Sequence, residues 1–164
     1  MFSLICAVDE QFGIGKDGDL LFKIPEDMKY FRNTTKNKII VMGRKTFESL
    51  PNKKPLKDRT NVVLTNNKNL KIDGAYVFNS VNEVLMRFQD SESVFIIGGE
   101  QIYKQFLPHC EKACITKVFN NYNADTFMVN LDKLNEWKII SESNFKVYNE
   151  NKYKFYIYQR VSNS

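Results

Sequence analysis

The sequence predicts an α/β fold with a mixed, mostly parallel central sheet of about eight strands, helices on both faces and a C-terminal antiparallel hairpin. Three observations carry that prediction. Nearly continuous apolar runs at 4–8, 39–42, 62–64 and 94–97 suit strands buried on both faces of a parallel sheet. Helical patterns at about 25–34, 45–50, 81–89 and 100–107 alternate with those runs. Beyond 110 the character changes, and 113–119, 137–142 and 153–159 read as strands with no helix of length between them.

Taken in order, Met1-Phe2-Ser3-Leu4-Ile5 has no basic leader, so the chain opens on a strand rather than a signal peptide. Pro25 suits the first position of the first helix, and Ile24 before it has no side-chain acceptor to cap with. Gly43 and the pair Gly98-Gly99 each end a strand and open a helix. Ser80 followed by Glu83 is a capping-box pattern for the third helix, and Pro108 stops the fourth. Asn149-Glu150-Asn151-Lys152 is a turn. It leads into Tyr153-Lys154-Phe155-Tyr156-Ile157-Tyr158, which is partly alternating and aromatic. No repeat or linker interrupts the chain, so one domain over 1–164 is expected.

With 43% hydrophobic and 26% charged residues, the chain falls in the globular class and has room for a real core. No apolar run approaches the ~20 residues that span a bilayer. Cys6, Cys110 and Cys114 are odd in number and lack CxxC spacing or a His/Cys cluster. Reduced thiols in a cytoplasmic protein, with no metal, are expected. The net charge of +5 admits nucleic acid or an anionic small molecule as partner. The lysines are scattered and no Lys/Arg stripe alternates with aromatics, so a basic surface with one anion-binding cleft is the better reading. His109 reads as a surface residue, and the lone Trp137 as a packing residue.

Asp27 is the most informative residue. Asp27 and Phe31 are four apart on one helix face, with Met28 beside them. An acid in a first turn complements the helix dipole, which is one account of it. The aromatic neighbours favour the other account, a carboxylate partnered by a bound donor-rich ligand. The two strand-to-helix glycine junctions match neither GxGxxG nor GxxxxGK[ST]. Together in one sheet they could hold the ends of a pyrophosphate on free N–H groups. Arg44 and Lys45 oppose the dipole at their helix start, so they either face water or await an anion. With Thr65 and Asn66 at the next strand end, such donors suit a ribose 2′-phosphate, hence NADP. Arg59 ends a basic loop; it is either solvated or a two-pronged grip for a carboxylate.

The segments SLICAV, GIGKDGDL, IPEDMKYFRNTT, IIVMGRKTFESLP, DRTNVVLT, VFIIGGEQIYKQFLP, ITKV and ADTF run nearly end to end. In this order and spacing the chain resembles the dihydrofolate reductases. The resemblance implies NADPH-dependent reduction of 7,8-dihydrofolate by hydride transfer to C6 and protonation at N5. Catalytic roles fall on Asp27, which binds the pterin and promotes protonation, on Thr116, which hydrogen-bonds it, and on Leu20 and Phe22. It implies a folate pocket of Ile5, Cys6, Ala7, Met28, Phe31, Leu50, Leu56 and Ile97, with Arg59 on the α-carboxylate of the glutamate tail. NADPH would be held by Arg44, Lys45, Thr46, Thr65 and Asn66, with Gly98 and Gly99, joined by a cis peptide, at its pyrophosphate. Ala7, Ile14, Gly15, Gly18, Leu20, Gly43, Leu64, Asn79, Ile97, Glu100, Gln101, Ile102, Tyr103 and Thr126 complete the cofactor set. Residues 13–22 would gate the site, with Leu20 near the nicotinamide. A monomer that binds antifolates but no nucleic acid or membrane is expected.

Two departures stand out. Leu21-Phe22 occupies the place where the family usually has Pro-Trp, so an indole N–H that orders a water is lost. Ala124 stands where glycine is common, predicting a stiffer partner loop. The rival readings are the related NADPH-dependent pyrimidine reductase of riboflavin synthesis and a basic nucleic-acid-binding module.

Overall fold

The computed structural model describes residues 1–161. Its elements in order are β1 (Phe2–Val8), β2 (Gly13–Lys16), β3 (Asp19–Leu20), α1 (Pro25–Thr35), β4 (Ile39–Gly43) and α2 (Arg44–Glu48). Then come β5 (Thr60–Leu64), β6 (Ala75–Phe78), α3 (Val81–Phe88), β7 (Val94–Gly98) and α4 (Glu100–Phe106). The last are β8 (Cys110–Val118), β9 (Thr126–Phe127), β10 (Trp137–Glu142), β11 (Lys146–Tyr148) and β12 (Asn151–Arg160).

One sheet runs in the order β10-β12-β8-β1-β7-β4-β5-β6, with β11 paired to β12. The apolar runs form its parallel part, in which β1 pairs with β7 and β8, and β4 with β7 and β5. They are apolar throughout because both faces are covered: Leu4, Val8, Ile40, Val41, Met42, Val62 and Val63 are all inaccessible to solvent. Strand β12 is antiparallel to β8, β10 and β11, which is the predicted C-terminal hairpin region. Asn149 and Glu150 take positive φ in the turn before it.

The helices fall where they are predicted, with α2 the shortest. Ser80 Oγ accepts from Glu83 N–H at 3.1 Å, as a capping box requires. The return bond differs: the Glu83 carboxylate takes the N–H of Asn79, one residue before the cap. Ile24 caps α1 without a side-chain bond. Helix α4 ends at Phe106, and Pro108 lies in the 3-10 turn Leu107–His109, with His109 exposed. Trp137 is buried with the Arg160 guanidinium 4.7 Å over its ring, a packing role. Cys6, Cys110 and Cys114 are free. Among the described residues no helix is long and apolar enough to cross a membrane.

Short strands were not predicted. Strand β6 extends the sheet beyond β5, and β3-β2-β9 form a second, three-stranded sheet over the gating segment. Strands of two to four residues carry too few positions for a period to show.

Candidate active site

The site lies at the C-terminal ends of β1, β4 and β7, the usual crevice of an open α/β sheet. Helix α1 brings Asp27 against β8. The Thr116 hydroxyl donates to Asp27 Oδ1 at 2.6 Å. Thr116 is buried, 2% exposed, and sits beside Ala7 in the β1–β8 register. Burial pushes the Asp27 carboxyl above the ordinary aspartate range, while the Thr116 bond, made to the charged form, opposes the rise. Burial likewise pushes the nearby Cys6 thiol up to about 12, with the Asp27 charge adding to it. The site therefore holds one acid that titrates above its usual range, and a thiol that stays neutral.

The helix carrying Asp27 is fixed from the C-terminal strands. The Tyr153 hydroxyl donates to Glu26 Oε2 at 3.0 Å, and Lys146 Nζ pairs with Glu26 Oε1 at 3.0 Å. Tyr30 stacks on Phe155 with ring centroids 4.6 Å apart. Sequence reasoning missed this clamp, because Glu26 looks like an ordinary first-turn acid. Of the expected pocket residues, Leu50, Leu56 and Ile97 are half-buried against the cluster of Ile40, Met42, Phe47 and Val63. Ile5 and Cys6 are buried in β1, and Phe31 is half-buried. Met28 is 54% exposed, so its side chain rims the cleft rather than filling it.

The two glycine junctions meet. A Cβ on Gly43 would sit 3.0 Å from Ile102 Cγ1 and 4.0 Å from the Gly98 carbonyl oxygen. A Cβ on Gly99 would face Thr46 Oγ1 at 3.7 Å. Helices α2 and α4 start there with no side-chain cap, so their first N–H groups are open to a ligand. This crossing fits a pyrophosphate, and NADPH with it. The Gly98–Gly99 peptide is cis, as expected. Ile102 and Tyr103 lie buried beneath the crossing, where the Tyr103 hydroxyl donates to the Ile5 carbonyl at 2.8 Å. Leu64 is likewise in the core. At the sheet edge Asn79 Nδ2 donates to the Thr65 carbonyl at 2.8 Å, fixing Thr65 beside exposed Asn66. Lys45 and Gln101 are exposed. Arg44 is exposed, and its Nε pairs with Glu48 Oε1 at 3.3 Å, so the helix dipole alone does not set its surroundings.

The gating segment is held from three sides. Asp9 is 1% exposed, and its carboxylate accepts from the N–H groups of Gln11 (2.9 Å), Gly13 (2.8 Å) and Tyr122 (3.2 Å). Asp125 Oδ2 accepts from Asp17 N–H at 2.9 Å, and Gly15 pairs with both Leu20 and Thr126. The Glu100 carboxylate accepts the N–H of Phe127, so this residue, expected at the cofactor, ties α4 to the small sheet. Gly18, with φ +79°, serves the tight turn between β2 and β3. Ile14 is half-buried against the main core. Leu20 is 68% exposed, so its side chain projects into solvent. Phe22 packs on Tyr122 at 5.4 Å and on the cluster of Ile24, Val118 and Tyr153. Those are apolar and aromatic packing contacts. Asp9 escaped the sequence reading; its one signal was an acid directly after an apolar strand.

Arg59 is half-buried. Its Nε donates to the Lys57 carbonyl at 2.8 Å, and its Nη1 to Thr35 Oγ1 at 3.3 Å. Thr35 in turn donates to the Phe31 carbonyl at 2.8 Å. The guanidinium is thus fixed to the helix that carries Asp27. Among the described residues no group of His, Cys, Asp and Glu side chains is arranged to hold a metal ion.

Comparison with known proteins agrees with this geometry. The sequence model of the family described as dihydrofolate reductase matches residues 1–161. A dihydrofolate reductase of Staphylococcus haemolyticus is 40% identical over 163 residues, covering 97% of this chain and 95% of that one. That of Bacillus subtilis (strain 168) is 34% identical over 166 residues, covering 100% and 97%. A solved dihydrofolate reductase from Enterococcus faecalis, complexed with NADP(H) and RAB-propyl, superposes with a TM-score of 0.88 at 32% identity, covering 99% of this chain and 97% of that one. A helix-borne acid bonded to a strand threonine, a double glycine junction and near full-length identity of this order converge: the chain belongs to the dihydrofolate reductase family.

Proposed function

We propose that Asp27 is the residue on which this reductase binds and protonates its substrate. The chain reduces 7,8-dihydrofolate to 5,6,7,8-tetrahydrofolate with NADPH, the activity of its family. Bound NADPH supplies the hydride that C6 of the substrate accepts. What the chain's own residues add is orientation and proton supply. The single observation that carries this reading is the carboxyl of Asp27, raised by burial and bonded to Thr116 on a face shared with Phe31.

Asp27 holds the pterin by its donor edge, remote from N5, and draws proton density toward the ring; water carries the proton to N5 itself. Ile5, Ala7, Phe31, Leu50, Leu56 and Ile97 exclude bulk water from the ring. Arg59 grips the α-carboxylate of the tail with its Nη2 end, which has no protein acceptor among the described residues. Gly43, Thr46, Gly98 and Gly99 receive the pyrophosphate. Lys45, Thr65 and Asn66 face the 2′-phosphate, with Asn79 keeping Thr65 in place. A single domain over 1–164 is supported by the one sheet that runs from Phe2 to Arg160. We further assign the chain as a monomer of the cytoplasm that binds antifolates and no nucleic acid, consistent with its free cysteines and scattered lysines.

The test is Asp27→Asn. The turnover, followed by loss of NADPH absorbance, falls about 10²–10⁴-fold near neutral pH, the usual worth of positioned acid–base assistance. Lowering the pH restores part of it, because solvent then protonates the substrate. Hydride transfer at the wild-type rate near neutral pH rules Asp27 out.

A further inference from the structure

Asp9 is a buried carboxylate that takes no part in the reaction as derived above. It is 1% exposed, and among the described residues it forms no ion pair. We propose that Asp9 is a positioning residue for hydride transfer, fixing both ends of the segment 13–22 between β1 and α1. The inference rests on the reductase reading above, since β1 and α1 carry Ile5, Ala7 and Asp27, assigned there to the substrate.

The two carboxylate oxygens serve different ends. Oδ1 accepts from Gln11 N–H at 2.9 Å and from Gly13 N–H at 2.8 Å, closing the turn at the near end of the segment. Phe12 in that turn takes φ +61° while wholly buried. Left-handed backbone is unfavourable for a bulky side chain, so the turn needs such bonds to hold it. Oδ2 accepts from Tyr122 N–H at 3.2 Å, from 113 residues away. The Tyr122 ring meets Phe22 with centroids 5.4 Å apart. Phe22 packs on the cluster of Ile24, Val118 and Tyr153, and Pro25 then opens α1. One carboxylate thus holds Gly13 directly and, through Tyr122, holds Phe22 and the approach to Asp27.

The residue type separates the two tasks. Aspartate and asparagine close such local turns alike, because each offers one oxygen to the N–H groups that follow it. Only aspartate accepts at both ends of its side chain. An asparagine that kept the turn would point its NH2 at the Tyr122 N–H, donor against donor. The acid is therefore required by Tyr122 and not by the turn. Gly13 leaves room for both oxygens, since a Cβ there would lie 2.9 Å from each of them.

The experiment uses two variants and their combination. Asp9→Asn keeps the turn and breaks the Tyr122 bond; Tyr122→Ala keeps the N–H and removes the ring on which Phe22 packs. Single-turnover hydride transfer, followed by stopped-flow loss of NADPH absorbance, is expected to slow about 3- to 30-fold in each, short of the ~10²-fold that a 1 Å misplacement costs. Kd for dihydrofolate, from equilibrium titration, is expected to stay within about twofold, because orientation rather than affinity is lost. The double variant is expected to be no slower than the slower single one, because both act through one contact. Hydrogen exchange is expected to free the Tyr122 amide in Asp9→Asn while the Gln11 and Gly13 amides stay protected. Thermal melts check the fold, and if Asp9→Asn does not fold, the rate and Kd of Tyr122→Ala decide alone. A wild-type rate in the folded variants, losses that multiply in the double variant, or a Kd that weakens in step with the rate overturns the proposal and leaves the reductase reading standing. Failure of the wild-type chain to oxidise NADPH with dihydrofolate overturns that reading, and this proposal with it.

Discussion

Asp27 shows how burial and one neighbouring hydroxyl, that of Thr116, set the titration of an ordinary acid. Burial alone favours the protonated acid; the hydroxyl, donating to the carboxylate, favours the charged one. The folded state therefore binds this proton more tightly than the unfolded chain does. Its contribution to stability is fully present below the ordinary aspartate value of 3.8 and is lost as pH rises through the raised folded value. On the proposed role of Asp27, catalysis should follow the same titration: the acid form is retained to higher pH, and turnover is expected to fall as pH climbs past it. Thr116→Val removes the donor to the charged form and leaves the burial. The descending limb of the pH–rate profile is expected to move to higher pH, read by stopped-flow hydride transfer. A limb that stays in place or moves to lower pH would show that the bond does not oppose the shift.

At the scale of elements, the gating segment behaves as a strand pair clipped to the main body rather than a free loop. Gly13 is the tightest point of that clip. A Cβ there would lie 2.4 Å from the Ala124 Cβ and 2.9 Å from each Asp9 carboxylate oxygen. Ala124, read from the sequence as a stiffening residue, thus fills the space over Gly13. Gly13→Ala is expected to cost about 1–3 kcal/mol in urea unfolding, the scale of an overpacked site. Placed on an Ala124→Gly background, it should recover part of that loss, because one of the two clashes is gone. Full stability of the single variant would mean that the two loops are not packed as described. Neither residue announces the other in the sequence: the alanine and the glycine lie in different loops, and only the β2–β9 pairing brings them together. The same holds for the Glu26 clamp, whose tyrosine and lysine belong to β12 and β11. The capping box of α3, by contrast, was legible, because both its residues lie within one turn.

At the scale of the molecule, the reaction site is a property of strand order. Strand β7 inserts between β1 and β4, and this sets the Gly98-Gly99 junction beside Gly43. A ligand bridging two junctions binds the native state and not the unfolded chain. NADPH at a hundred times its Kd should therefore raise the unfolding free energy by about 2.7 kcal/mol. The thermal midpoint should rise by roughly 2–4 °C per kcal/mol for a chain of this size. NADH, lacking the 2′-phosphate for Lys45, Thr65 and Asn66, should give a smaller rise at equal concentration. Equal shifts from both nucleotides, measured by circular dichroism, would count against that phosphate site.

By itself the sequence determined the long strands and the helices, where the glycines break them, and which side chains could carry the chemistry. Those properties are local: apolar runs, caps and turns are written within a few residues of one another. Its run of motifs also carried the family resemblance. Only through that resemblance, and not from any local pattern, was Thr116 expected to meet Asp27 from 89 residues away. The tertiary structure alone decided that Glu48 pairs with Arg44 and that Glu100 ties α4 to the small sheet. It also decided that Leu20 faces solvent and Phe22 packs on Tyr122. The reason is physical. A buried strand is apolar whichever neighbour it has, so its sequence does not name the strand beside it. The order of strands, and every partner that order creates, is fixed only when the whole sheet packs.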